Sequence, residues 1–412
     1  MKKILLVISY FILFLLTATS LLADKCKDYL AFSSPEEITT FGIDTTGHWF
    51  AIASNISGNY RLVIDGKETG IFRDVKKIVF SNDGTRWACF AKDNVRWYVI
   101  TNDTTLEIPT SDVGELAYSP DSRALVYSYF EGENEVIVLP NRKINVINRI
   151  GNFYPGFGGN TISFLGIRGE DTVININGTE SQPFEAIIPM GYWQDGQMVY
   201  AAKNGGVWEV YKNFTSISEP YQEITDAKIN IYGTVAAILA RQMSGNYISV
   251  IFSDEYYDPL VSKPYDYANA LVLHPSLPMA AFRATINTNN FIVLSNTDFY
   301  GGQTAGYPFF SYDGSELYFF GCDIDCFANI NGKKYPINSQ IDLLSIYAMK
   351  PESRSIAYAT STSLVVRDLE KDMLYSGMMV DQVSAPIYNW RNKRYEALGK
   401  INQRLYLLTC EW

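Results

Sequence analysis

The stretch FSNDGTRWACFA, Phe80–Ala91, decides the reading of this chain. It comes back as YSPDSRALVYSY from Tyr118, YWQDGQMVYAAK from Tyr192 and FSYDGSELYFFG from Phe310. Each copy is an apolar strand, a break, and a second apolar strand. The break falls at Asn82-Asp83-Gly84, Pro120-Asp121-Ser122, Gln194-Asp195-Gly196 or Tyr312-Asp313-Gly314. Asp and Asn bond their own backbone in turns, and Gly takes the positive φ that closes a tight hairpin. A third strand follows at a constant offset, as in YRLVID from Tyr60, VRWYVI from Val95, EVIVLP from Glu135, VWEVYK from Val207, FIVLSN from Phe291 and RLYLLT from Arg404. Three third strands end in a strong hairpin signal, Asp65-Gly66, Asn177-Gly178 and Asn331-Gly332.

Weaker copies in the same phase place units at Phe41, Phe80, Tyr118, Tyr154, Tyr192, Ile229, Leu273, Phe310, Tyr347 and Tyr388. Their spacing of roughly 40 residues matches one four-stranded propeller blade. Such a unit cannot bury its apolar faces alone and must stack on copies of itself. The expected fold is therefore an all-β propeller of about ten four-stranded blades over residues 24–412, in a single ring rather than two smaller ones. No linker rich in Pro, Ser or Gly interrupts it, and SDEYYDPLVSKPYDYA from Ser253 reads as one elongated loop. The 29 Tyr, 23 Phe and 7 Trp suit strands, and beyond the first 25 residues no helical apolar period is sustained.

At the amino terminus Lys2 and Lys3 precede the apolar run Ile4–Leu16, followed by small residues at Ala18, Ser20 and Ala23. This is the layout of a secretory signal peptide, residues 1–23, with cleavage after Ser20 or Ala23. The alternative is an uncleaved anchor, since the apolar segment runs on to Leu22. Either way the repeats lie outside the cytoplasm, in the periplasm or beyond, and the chain does not span a membrane if the signal is removed. Cysteine usage fits an oxidising compartment. Cys322 and Cys326 flank Asp323-Ile324-Asp325 in a hairpin that a disulfide between them would staple. Cys26 precedes the first unit and Cys410 lies in the last third strand. If the leading segment supplies the outer strand of the final blade, these two meet and lock the ring. Cys89 is left as a buried free thiol.

Net charge is −10, and loss of Lys2 and Lys3 with the signal makes it more negative still. Phosphate backbones are repelled on average, so nucleic acid is not an expected partner.

The FSxDG phrase, the strand after it and the third strand at fixed spacing resemble the TolB-type, WD40-like β-propeller repeat of secreted and periplasmic bacterial proteins. The resemblance runs from Phe41 to Trp412. It implies a propeller that acts as a docking platform, without the separate domain that precedes the propeller in TolB itself. The sequence departs from the pattern at Gly156-Phe157-Gly158-Gly159, Tyr232-Gly233 and Pro275-Ser276-Leu277-Pro278.

Catalytic constellations are scarce. The two histidines, His48 and His274, fall at hairpin turns and are expected to be structural. There is no G-x-S-x-G elbow and no cofactor fingerprint, and the Asp-Gly pair misses the spacing of a sialidase Asp-box. Asp323 and Asp325 form a short acidic tip whose expected role is a solvated hairpin rather than a calcium loop. No metal, cofactor or catalytic residue is assigned. The expected function is a binding scaffold for a protein, peptide or glycan, using variable loops between second and third strands and between blades: Glu131, Glu133 and Asn134; Arg168, Glu170 and Asp171; Asn287 and Asn289. The alternative is a carbohydrate-active enzyme whose carboxylates pair at the channel mouth, since such pairs meet in space rather than in sequence.

Overall fold

The computed structural model describes residues 25–256, 258–337 and 347–412. Residues 1–23, expected to be a signal peptide, lie outside the described residues. The described residues form ten antiparallel blades: 1 (37–72), 2 (74–108), 3 (113–146), 4 (149–180), 5 (186–216), 6 (223–261), 7 (267–302), 8 (304–337), 9 (347–376) and 10 (382–411, completed by 26–33). This is a β-propeller, all-β and of about ten four-stranded blades as expected. The positions Phe41 through Tyr388 all lie in or at the end of the first strand of a blade. The only helical element among the described residues is a three-residue 3-10 turn, Phe157–Gly159, at the first departure from the repeat.

The chain divides into two compact units. Blades 2 to 8 belong to Phe72–Leu344, whereas blades 1, 9 and 10 belong to Met1–Ile71 with Ser345–Trp412. In the first, apolar layers fill each interface between consecutive blades, such as Phe90, Val99, Leu116 and Tyr129 between blades 2 and 3. Val199, Val210, Ile238 and Val250 do the same between blades 5 and 6. Small residues alternate with large ones in these layers, which lets neighbouring sheets interdigitate at close packing. In the second unit, Cys26–Ser33 pairs antiparallel with Arg404–Glu411 as the outer strand of blade 10. The register sets Cys26 opposite Cys410, and the two form a disulfide. Cys322 and Cys326 form the second, and Cys89 is free and buried, as expected from the sequence.

The turn chemistry of the phrase has a double use. Within a blade, Ser81, Ser119 and Ser311 donate their hydroxyls to Asp83, Asp121 and Asp313 at 2.6–2.7 Å. Each serine also accepts the backbone N–H that opens the second strand. Between blades, Asn82 Nδ2 donates to the Pro120 carbonyl, Gly158 N–H to Asp121, and Asn230 Nδ2 to the Pro275 carbonyl. The repeated turns are thus bolted to one another along this edge of the unit. At the third-to-fourth-strand turns, Asp65, Asn177, Asn213 and Asn331 have φ of 49–55°. Their side-chain oxygens accept the N–H of Trp49, Ile162, Met198 and Leu317. Asp or Asn is required there both to tolerate the left-handed backbone and to hold the second strand.

Blades 4, 5 and 6 share a device the sequence reading passed over, the triplets Ser181-Gln182-Pro183, Ser218-Glu219-Pro220 and Ser262-Lys263-Pro264. Each follows a fourth strand of only two residues. The serine hydroxyl accepts a third-strand N–H, from Ile174, Val210 and Ser249 respectively, while the proline turns the chain toward the next blade. Phe184, Tyr221 and Tyr265, one residue beyond each proline, are buried. These clipped outer strands leave room along the blade seams.

Candidate functional site

A concave surface in the 72–344 unit opens at the seam of blades 5 and 6. One lobe of about 500 Å³ is lined by Trp193, Lys212, Ile217, Phe252, Ser253, Asp254, Tyr256 and Pro259. A second lobe of about 500 Å³ continues past Ile217, Phe252 and Pro259 to Glu219, Tyr221, Gln242 and Val261. The short fourth strands Thr215–Ser216 and Leu260–Val261 set its walls. The irregular chain after Ser253 forms its lip.

Trp193 organises the first lobe. It stands where Ser81, Ser119 and Ser311 stand in the other copies of the phrase, and its side chain is 3% exposed. Its Nε1 donates to Asp254 Oδ2 at 2.6 Å, tying the blade 5 turn to the lip. Lys212 Nζ lies 5.1 Å from the indole centroid and pairs with Asp195 at 2.8 Å. A cation held over an indole face and fixed by a carboxylate gives the lobe one aromatic, one positive and one negative wall. The departure from serine at Trp193 was the sequence signal for this site; Asp254 and Tyr256 were passed over as part of a long loop.

A smaller cavity of about 260 Å³ lies along the first strands of blades 3 to 6. Tyr118, Phe153, Tyr154, Phe157, Met190, Tyr192 and Ile229 line it, with Asn82 and Asn230 as its side-chain amides. Both asparagines are already engaged in the blade-to-blade bonds. No carboxylate lines it.

The loops expected to form a binding face occupy the opposite ends of their hairpins. Glu131, Glu133 and Asn134 form the second-to-third-strand turn of blade 3, Arg168, Glu170 and Asp171 that of blade 4, and Asn287 and Asn289 that of blade 7. Glu131 accepts the Tyr129 hydroxyl at 3.0 Å, Arg168 pairs with Glu180, and Asn287 N–H donates to Asp266. Among the described residues no hydrogen bond or ion pair joins one of these loops to another.

The acidic residues of the phrase are committed to structure. Burial raises each of these carboxyls, but the hydrogen bonds outweigh it: Ser81 and Thr85 hold Asp83 below the usual carboxylate value, and Ser119 and Gly158 hold Asp121 there. Lys212 and Gln197 do the same for Asp195, and Ser311 and Ser315 for Asp313. Glu135 is buried under a two-pronged pair with Arg149 at 2.7 Å, and Glu396 under Arg394, Asn389 and Asn392. Asp323 accepts the Tyr300 hydroxyl and Gln303 N–H, which fixes the Cys322–Cys326 hairpin to blade 7. His274 Nδ1 accepts from Ser276 and Leu277 N–H, and burial lowers its pKa, so it sits neutral as a turn clamp. Asp254 and Glu219, the two carboxylates of the seam, line different lobes. Among the described residues no three His, Cys, Asp or Glu side chains gather as a metal site.

No protein-family model matches the chain, and no curated protein matches it. Among solved structures it is similar to a eukaryotic initiation factor, at 10% identity and a TM-score of 0.48, over 76% of this chain and 90% of that one. It is similar to the Dos1 propeller, at 10% identity and 0.39, over 82% and 92%. It is also similar to dipeptidyl peptidase 4 of Porphyromonas gingivalis, at 11% identity and 0.46, over 84% of this chain and 60% of that one.

Proposed function

We propose that the protein is an exported, TolB-like propeller scaffold that binds a protein, peptide or glycan partner and carries out no chemistry on it. The observation that carries this reading is the contrast between the seam and the repeat. The repeat's carboxylates are spent on turns and blade clamps. The seam instead presents aromatic walls and a polar lip, with its two carboxylates in separate lobes. Aromatic side chains with a few fixed polar groups are the composition of a recognition surface. Export is supported by the signal-like start and by two disulfides, which persist in oxidising compartments.

The test is a ligand array of peptides and oligosaccharides read by the emission of the seam tryptophan, with Tyr256→Ala as the site control. Binding that Tyr256→Ala weakens about tenfold without loss of thermal stability supports the scaffold. Turnover of any array member that Asp254→Asn abolishes overturns it in favour of the carbohydrate-active enzyme.

A further inference from the structure

The seam carries an unbalanced charge. Asp254 lies in the first lobe and Glu219 in the second, while Glu255 and Asp258 stand exposed on the lip between Ser253 and Pro259. Among the described residues none of these four makes an ion pair with a lysine or arginine. The single cation lining the cleft, Lys212, is already neutralised by Asp195 at 2.8 Å. Four uncompensated carboxylates therefore border a cleft whose walls are Trp193, Phe252, Tyr256, Tyr221, Ile217 and Val261. Charges of one sign around low-dielectric walls focus the field on the cleft and raise the local concentration of the opposite charge. Aromatic faces reinforce the same preference, and Lys212 over Trp193 shows a cation already lodged in that way.

Shape narrows the class further. The two lobes, each of about 500 Å³, share Ile217, Phe252 and Pro259 and so form one groove along the seam, larger than a single side chain fills. An extended peptide advances about 3.3 Å per residue and sends alternate side chains to opposite faces. It can lay apolar residues on the Ile217–Phe252–Val261 wall while its cationic residues reach the lip. A neutral glycan can hydrogen-bond to the four carboxylates but leaves their charge uncompensated, and an acidic ligand is repelled by them.

Resting on the scaffold reading above, we propose that the seam of blades 5 and 6 binds an extended peptide segment bearing lysine or arginine interspersed with apolar residues. The basic side chains face Asp254, Glu255 and Asp258.

The test measures fluorescence anisotropy of labelled octapeptides on the mature protein. One peptide alternates Lys or Arg with Leu or Phe, a second replaces each basic residue by Glu, and a neutral oligosaccharide serves as competitor. The basic peptide is expected to bind, and Asp254→Asn with Asp258→Asn should weaken it about tenfold. Tyr256→Ala should cost about as much, and raising salt from 50 to 500 mM should weaken binding at least tenfold because exposed charges are screened. Glu131→Gln with Glu133→Gln removes the same charge from the opposite edge and should leave affinity within twofold. If this control pair weakens the basic peptide as much as the seam pair does, attraction is to the acidic protein at large and the proposal fails. If the acidic peptide or the oligosaccharide binds instead, in a Tyr256-dependent manner, the cationic assignment fails while seam binding stands. If no probe binding responds to Tyr256→Ala, both fail.

Discussion

Removing the Cys26–Cys410 bond by the double substitution Cys26→Ala and Cys410→Ala tests how blade 10 is held together. The bond joins residues 384 apart in sequence. In the chain-entropy treatment, cross-linking so long a loop removes about 20 cal/mol/K from the unfolded chain, or about 6 kcal/mol at room temperature. The Cys322–Cys326 bond spans a separation of 4. The same expression gives it about 2 kcal/mol. The strand Cys26–Ser33 keeps its non-covalent anchors in the variant. Thr409 Oγ1 donates to the Lys27 carbonyl at 2.7 Å and Met378 N–H to Asp28 at 2.8 Å. Lys25 Nζ lies 3.6 Å from the Trp412 ring centroid. The variant is therefore expected to fold, with a lower unfolding midpoint in guanidinium and faster proteolysis near the amino terminus. The pair Cys322→Ala and Cys326→Ala should cost about a third as much. Equal midpoints for the clasp variant and wild type, or a larger loss from the short-loop pair, would refute the entropic account. Recovery of Cys26 as a free thiol in oxidised protein by non-reducing peptide mapping would refute the bond itself.

Asp121→Ala leaves the Ser119 hydroxyl and Gly158 N–H without their acceptor and should destabilise by about 2 kcal/mol, read by thermal unfolding. Asp83, Asp121, Asp195 and Asp313 have folded pKa values below their ordinary 3.8. As pH falls the unfolded chain thus takes up protons first. The stabilisation they give is complete above about pH 5 and is lost as pH drops through 3.8 toward the folded values, so a midpoint-versus-pH curve should fall in that window and Asp121→Ala should flatten it. Gly302→Ala should cost about 3 kcal/mol, because φ is +91° there and an added Cβ would lie 2.6 Å from the Cys322 carbonyl oxygen; a variant as stable as wild type would contradict that contact. Cys89 has its pKa raised to about 12 by burial. Mass spectrometry should find no alkylation by iodoacetamide at pH 8 in the folded protein and one modified thiol after unfolding.

The amino-acid sequence by itself determined the architecture, and the reason is redundancy. A strand-turn-strand phrase with fixed turn residues recurs along the chain, so that Phe80, Tyr118 and Phe310 each report the same local geometry, and local turn chemistry needs no distant information. Both disulfides were legible for a related reason. The Cys322–Cys326 pair is local to one hairpin, and Cys26 meets Cys410 once the leading strand completes the last blade. The candidate site was not read from the sequence, whose available signal was Trp193 in a serine position. Only the tertiary structure decided that Asp254, 61 residues further along the chain, comes to the Trp193 indole at 2.6 Å. It also decided that clipped fourth strands open the seam between them. It decided, too, that the conspicuous acids of the repeat are consumed in turn bonds within their own blades, with Asp121 also clamping the next blade. Such outcomes depend on which side chains of neighbouring blades meet, and a repeat fixes the meeting of backbones while leaving the side chains at each seam free to differ.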